Sequence, residues 1–292
     1  MTLVYASEPL ASAVSIFSLG SKGFVPAGQL VFSDYPIGVT VDAAQRLYVA
    51  VTSLGASGSL PNDVEVFPRG ATKPSKTYSD GLTGPDDVAV DSHGTLYVAN
   101  ISNFGCADDP GDGDVVEYAK GSMKPTLTIT DIPGCPHALG LDASDNLYVT
   151  YIYYGSSGPS ISDVIEYARG STKGKALGLH AKDAALSSLF WRVAVDGSGN
   201  VIVANDAYDN TLGQILVYPP GSTSPSKSIE YVDWGEEYFA LQGDRIFAEA
   251  YTGQTVSAVP AEFTYPSGQE RLVASPKLVP PAFYYGFAVS PR

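Results

Sequence analysis

The chain is poor in several residue types, and each scarcity narrows the possibilities. Its 292 residues include two cysteines, two methionines, two tryptophans and three histidines. Lysine and arginine total 17 against 31 acids, a net charge of −14, which argues against nucleic acid and against anionic membranes as partners. No stretch reaches the apolar length of a membrane span. No nucleophile elbow, phosphate-binding glycine loop or dinucleotide fingerprint occurs. Met1 leads straight into a strand-like run with no secretory leader ahead of it. Sparse lysine, abundant Ser, Thr, Gly and Tyr, and a cysteine pair nonetheless predict an exported protein, extracellular or periplasmic, in which Met1 replaces a removed leader.

What the chain does have is a repeat of about 50 residues. An aromatic, two residues and then glycine recur as Phe17/Gly20, Phe67/Gly70, Tyr118/Gly121, Tyr167/Gly170, Tyr218/Gly221 and Tyr265/Gly268. A second marker runs in phase: an apolar strand ending in Asp, a short turn, and another strand. It reads VTVDAAQRLYVAV, VAVDSHGTLYVAN, LGLDASDNLYVTY and VAVDGSGNVIVAN, then the degraded FALQGDRIFAE. A sixth copy begins as FAVSPR at the C-terminus and resumes as MTLVYAS at the N-terminus.

Each unit holds four strand candidates rich in Val, Leu, Tyr and Thr, separated by Asp, Gly, Ser or Pro. In the second unit they fall at about 86–91, 96–101, 114–118 and 126–130. Four antiparallel strands repeated radially predict an all-β fold, a six-bladed β-propeller, with residues 1–292 as one domain. Blade 6 is shared by about 1–33 and 283–292, so the terminal strands close the ring and remove free sheet edges. The Asp at each first turn (Asp42, Asp91, Asp142, Asp196) is expected to accept hydrogen bonds from amides two residues on.

The phrases PDDVAVDSHGTLYVAN and VVEYAKGSMKPTLTI and their copies resemble the NHL-repeat propellers and their gluconolactonase-like and strictosidine-synthase-like relatives. The resemblance covers nearly the whole chain. It implies the propeller fold, in a superfamily of binding modules, lactonases, esterases and lyases. WD dipeptides and kelch glycine doublets are absent from the repeat positions. The gluconolactonase-like relatives hold a catalytic calcium on corresponding inner strands with Glu and Asn/Asp ligands. This chain departs from that pattern, offering Ile37 in the first blade.

Strand direction places the links entering the inner strands, and the loops between second and third strands, on one face around the channel mouth. Aligning the residue four before the last apolar position of each inner strand gives Ile37, Asp86, His137, Trp191, Glu237 and Tyr285. This ring is not repetitive. Asp86 and Glu237 could hold a divalent cation, calcium first, or act with His137 as general acid and base. Arg192 and Tyr285 could bind a developing anion. Trp191, Tyr35, Tyr151, Tyr284, Tyr208 and Trp234 could line a ligand cleft by stacking and hydrogen bonding. His93 falls in a hairpin turn on the opposite face and His180 in a linking segment, which excludes a three-histidine zinc centre.

The loop NFGCADDPGDGD offers Asp108, Asp109, Asp112 and Asp114 as oxygen ligands for calcium, without the EF-hand spacing. Cys106 in that loop and Cys135 in the next entering link are expected to form a disulfide on the mouth face. Three functions follow. The first is a monomeric binding propeller for a small molecule, glycan or protein. The second is an ester, lactone or glycan hydrolase or lyase using Asp86, His137 and Glu237, with or without metal. The third is a subunit of an extracellular assembly.

Overall fold

The computed structural model describes residues 1–21, 23–53, 62–101, 113–153, 161–180, 188–207, 214–230, 238–251, 258–274 and 284–291. The aspartate turns that punctuate the sequence organise the fold. Asp91 Oδ1 accepts from the backbone N–H groups of His93 (2.9 Å) and Thr95 (2.7 Å). Asp142 does the same with Ser144 and Asn146, both at 2.8 Å, and Asp196 with Ser198 and Asn200 at 2.8 and 2.9 Å. One carboxylate thus satisfies two amides that the tight turn turns away from the sheet. The same turns need one residue at positive φ. Gly94 and Gly199 take it freely, whereas Gln45 (62°) and Asp145 (61°) carry side chains there.

The second marker is equally physical. Phe67, Tyr118, Tyr167, Tyr218 and Tyr265 are buried at the end of each third strand. The hydroxyls of Tyr118, Tyr167 and Tyr218 donate to the carbonyls of Asp80, Asp131 and His180 in outer links. Each ring therefore fills the core while its polar end ties down the passing chain. Gly70, Gly121, Gly170, Gly221 and Gly268 all adopt positive φ, between 71° and 86°. The first copy differs: Gly20 stays in its strand, and Gly23 (95°) takes the left-handed position.

Six four-stranded antiparallel sheets result among the described residues. The inner strands are Tyr35–Val41, Pro85–Val90, Cys135–Leu141, Ser188–Val195, Ala240–Gln242 and Gly286–Val289. The second blade's strands, Pro85–Val90, Leu96–Ile101, Gly113–Tyr118 and Leu127–Ile129, lie within a residue of their sequence-based bounds. The sixth blade pairs Gly286–Val289 with Thr2–Glu8, in the register Val4↔Val289 to Ser7↔Gly286. Its split turn is closed without a covalent bond. The Ser290 N–H donates to the Leu3 carbonyl, and the Leu3 N–H donates to Ser290 Oγ, both at 2.8 Å. Ser290 thus stands in for the turn aspartate of the other blades.

Strand alternation buries both faces of every blade. Leu96 and Val98 pack towards blade 1, and Tyr97 and Ala99 towards blade 3. Six apolar clusters arise, one between each neighbouring pair of blades. The ring is closed: the cluster joining blades 6 and 1 (Tyr5, Val14, Val39, Val49) is as buried as the rest. Blade 5, the degraded copy, turns on Gly243. A buried pair supports it, with Arg245 Nε and Nη2 each 2.7 Å from an oxygen of Glu262.

Candidate functional site

The inner strands do not run smoothly into the channel mouth. In four blades they carry a bulge where the ring residues stand. Pairing skips from Pro36 to Val39, Pro85 to Asp87, Pro136 to Leu139 and Phe190 to Arg192. The residues left out of the ladder include Ile37, Asp86, His137 and Trp191. A bulge re-aims the side chain it carries. It is thus the local device that takes these four positions out of the strand alternation.

Three of them touch in series. His137 Nδ1 lies 3.1 Å from Asp86 Oδ2, and the His137 ring meets the Trp191 ring edge-on at 4.9 Å between centroids. The side chains of His137 and Asp86 are 11% and 16% exposed. His137 Nε2 is buried and has no hydrogen-bond partner among the described residues. A carboxylate on Nδ1 fixes the ring orientation and favours the tautomer that carries its proton there. Nε2 is then left as a lone pair for a hydroxyl donor, a metal or a proton.

Beneath this pair lies a clasp. Asp87 is 2% exposed and accepts from Arg192 Nη1 and, at 2.9 Å, from the Leu139 N–H. Arg192 Nε also donates to the Phe239 carbonyl at 3.3 Å. Burial pushes the Asp87 carboxyl up, opposed by Arg192 and by the backbone N–H groups of Leu139 and Val88. One ion pair therefore joins the inner elements of blades 2, 3, 4 and 5. Blade 1 completes it with Gly38, where a Cβ would sit 2.6 Å from Asp87 Oδ1 and 2.5 Å from the Asp86 carbonyl oxygen. That close approach explains the YPIG of the first blade.

The expected site residues divide accordingly. Asp86, His137 and Trp191 come together. Tyr285 stacks on Tyr238 at 5.7 Å and 29°, and Tyr35 begins the inner strand of blade 1. Arg192, expected to face a developing anion, is instead buried against Asp87. Tyr284 and Tyr151, expected in a ligand cleft, are core residues. Tyr284 packs on Phe287 between blades 5 and 6, and Tyr151 lies between blades 2 and 3. Burial first, then Glu8 and Glu249, raise the Tyr284 hydroxyl far above the usual phenol range. Glu237, Trp234, Tyr208, Asp108, Asp109, Asp112 and Cys106 lie outside the described residues. Cys135 is buried at the start of its strand.

A cluster on the opposite face was only half legible in sequence. His93 lies in the hairpin turn as expected, and Asp145 of the next blade reaches it at 3.0 Å. Asp91, His93 and Asp145 offer three ligand atoms within 4.8 Å of one another, a set that could hold a metal ion. The carboxylates are already engaged: Asp91 by Arg169 and two amides, and Asp145 by the N–H and hydroxyl of Ser92. Asp145 carries no sequence signal for this cluster, because turn residues of adjacent blades meet only once the ring has closed.

No family model matches the sequence, and no curated protein matches it. Solved structures do. A protein from Lactobacillus plantarum aligns over 99% of both chains with a TM-score of 0.63 at 13% identity. A protein of unknown function from Bacteroides caccae aligns over 100% of this chain and 99% of its own, with a TM-score of 0.66 at 10% identity. TolB from Acinetobacter baumannii gives 0.66 at 10% identity, over 100% of this chain and 67% of its own. At these identities the likeness is one of fold: a six-bladed propeller. No helix among the described residues is long and apolar enough to cross a membrane.

Proposed function

We propose that the channel-mouth face binds a small hydroxyl-bearing ligand, a glycan or small aromatic molecule, with His137 Nε2 as its polar anchor. The observation that carries this reading is the buried Nε2, unpartnered among the described residues, of an imidazole whose other nitrogen is held by Asp86. Buried polar atoms are nearly always paired, and one left open in a folded site fits a partner that arrives from outside. Trp191 beside it supplies a flat surface for a sugar or ring, and Tyr238 and Tyr285 a second aromatic pair. Arg192 serves as the strut that holds Asp87 and the bulged strands in place.

The same dyad supports a second reading, a hydrolase or lyase. An Asp-oriented imidazole is a general base, and Glu237 would stand across the channel as acid or metal ligand. The two readings separate in one experiment. A glycan and small-molecule screen, followed by an ester and lactone turnover assay, is run on wild type and His137→Ala. Binding without turnover, lost in His137→Ala, supports the first. Turnover abolished in His137→Ala supports the second. Binding or turnover untouched by His137→Ala contradicts both.

The wider reading is of an exported, monomeric NHL-type propeller, folded as one domain and stapled by a Cys106–Cys135 disulfide. The disulfide is supported by the absence of a free thiol at Cys135, since the chain has one other cysteine. Thiol titration of the native and the unfolded protein with and without reductant tests it.

A further inference from the structure

Blades 1, 2 and 3 each carry an aspartate four residues before the third-strand aromatic: Asp63, Asp114 and Asp163. Blades 2 and 3 provide for it. Asp114 Oδ1 accepts from the Asn100 side-chain amide at 2.9 Å. Asn100 Oδ1 accepts in turn from the N–H groups of Thr83 and Gly84 in the entering link, at 2.8 and 3.1 Å. Asp163 accepts from the N–H groups of Val164, Gly178 and Leu179, each at 2.8 Å.

Blade 1 changes both neighbours. Val51 stands opposite Asp63 in the register where Asn100 stands opposite Asp114. Asp34 occupies the link position of Thr83, since Pro36 pairs with Val51 as Pro85 pairs with Asn100. The bridging amide is gone, and a second carboxylate has been added. Asp34 Oδ1 takes the Tyr35 N–H at 3.1 Å. Among the described residues, Asp34 Oδ2 and Asp63 Oδ1 have no hydrogen-bond partner and are buried, in residues each 6% exposed. Two carboxylates held this way are costly unless something positive joins them.

We propose that Asp34 and Asp63 form a site for a hard divalent cation of the calcium class, which does in blade 1 what the Asn100 amide does in blade 2. Oxygen donors alone select a hard ion over zinc or copper. The site sits at the start of blade 1 and uses neither Asp86 and His137 nor the Asp91–His93–Asp145 cluster. It ties the entering link of blade 1 to its third strand, as the Asn100 bridge does in blade 2.

The test is thermal unfolding of the full chain, stripped of metal at pH 8, with and without millimolar calcium, magnesium or manganese. Calcium at about 100 times its dissociation constant is expected to raise the Tm by about 2–6 °C. Asp34→Asn and Asp63→Asn should each abolish the rise, and Asp86→Asn should keep it. No rise with any of the three ions, or a rise unchanged in both Asp34→Asn and Asp63→Asn, overturns the proposal. If one variant does not fold, equilibrium dialysis of wild type and of the variant that does fold decides. One calcium per chain retained by wild type and lost in that variant supports the site, and retention of none by wild type, or of one by both, overturns it.

Discussion

His137 illustrates how one residue can be legible in kind and illegible in state. Repeat phase put an imidazole next to an aspartate on the channel mouth, and the structure adds the 3.1 Å contact and the open Nε2. His137→Ala is expected to weaken ligand binding by about 10–100-fold, the worth of a charge-assisted or buried hydrogen bond. Calorimetric titration measures this. Its Tm should stay close to wild type, because removing the ring removes an unpaired buried atom as well as a contact. Arg192 shows the converse. Nothing in FWRVAVD tells that its guanidinium turns inward, since Asp87 lies two blades away along the chain.

One turn aspartate, Asp196, carries a pH dependence of defined sign. For Asp196, burial would raise the carboxyl. The hydrogen bonds from Asn200, Tyr265 and Ser198 outweigh it and hold the carboxyl below its ordinary value. A folded-state value below the unfolded one adds stability above the unfolded pKa, near 4, and loses it as pH falls through the folded value. Asp196→Asn is therefore expected to flatten the fall in Tm below about pH 4 while lowering the Tm at pH 7. A series of melts from pH 7 to pH 3 reads both effects, and an unchanged acid limb would contradict the assignment.

At the scale of the element, the bulged inner strand is what takes Asp86, His137 and Trp191 out of the strand alternation. Its existence was not legible, because a bulge shows only in the pairing of two strands, and the repeat phrase PDDVAVD reads as an ordinary strand. The strands of the second blade were legible to within a residue, because alternation and aspartate turns are local. The bulge depends on close packing between blades. Gly38→Ala would set a Cβ 2.5 Å from the Asp86 carbonyl oxygen and from Asp87 Cα. It is expected to cost about 1–3 kcal/mol of stability and to disturb Asp86. Arg192→Met leaves Asp87 buried without its partner and is expected to cost about 3–5 kcal/mol. Urea unfolding checks both, and a neutral Gly38→Ala would mean that the blades do not approach as described.

At the scale of the whole molecule, the ring is only as stable as its split blade. Removing residues 1–8 strips blade 6 of its second strand, the partner of Gly286–Val289, and opens the clusters on both of its sides. Far more than terminal fraying is expected: loss of the single cooperative transition in a thermal melt. Ser290→Ala, which deletes one bond of the closing turn, should cost about 1 kcal/mol. The closed propeller was legible because the sixth copy is visible in two pieces at the two ends. The loops between the strands are not repetitive in sequence, so periodicity carries no information about them, and the candidate site was legible only where it rests on the strands.

The central claim is that the Asp86–His137 pair at the channel mouth is where this propeller meets its ligand. The most direct measurement is a long-range proton–nitrogen spectrum of nitrogen-15 histidine-labelled protein, taken during titration with a screened glycan or aromatic ligand. The account predicts that the Nε2 resonance of His137 moves with ligand and that those of His93 and His180 stay in place. It also predicts that Asp86→Asn weakens the response. Saturating binding that leaves the His137 nitrogens unmoved would contradict it.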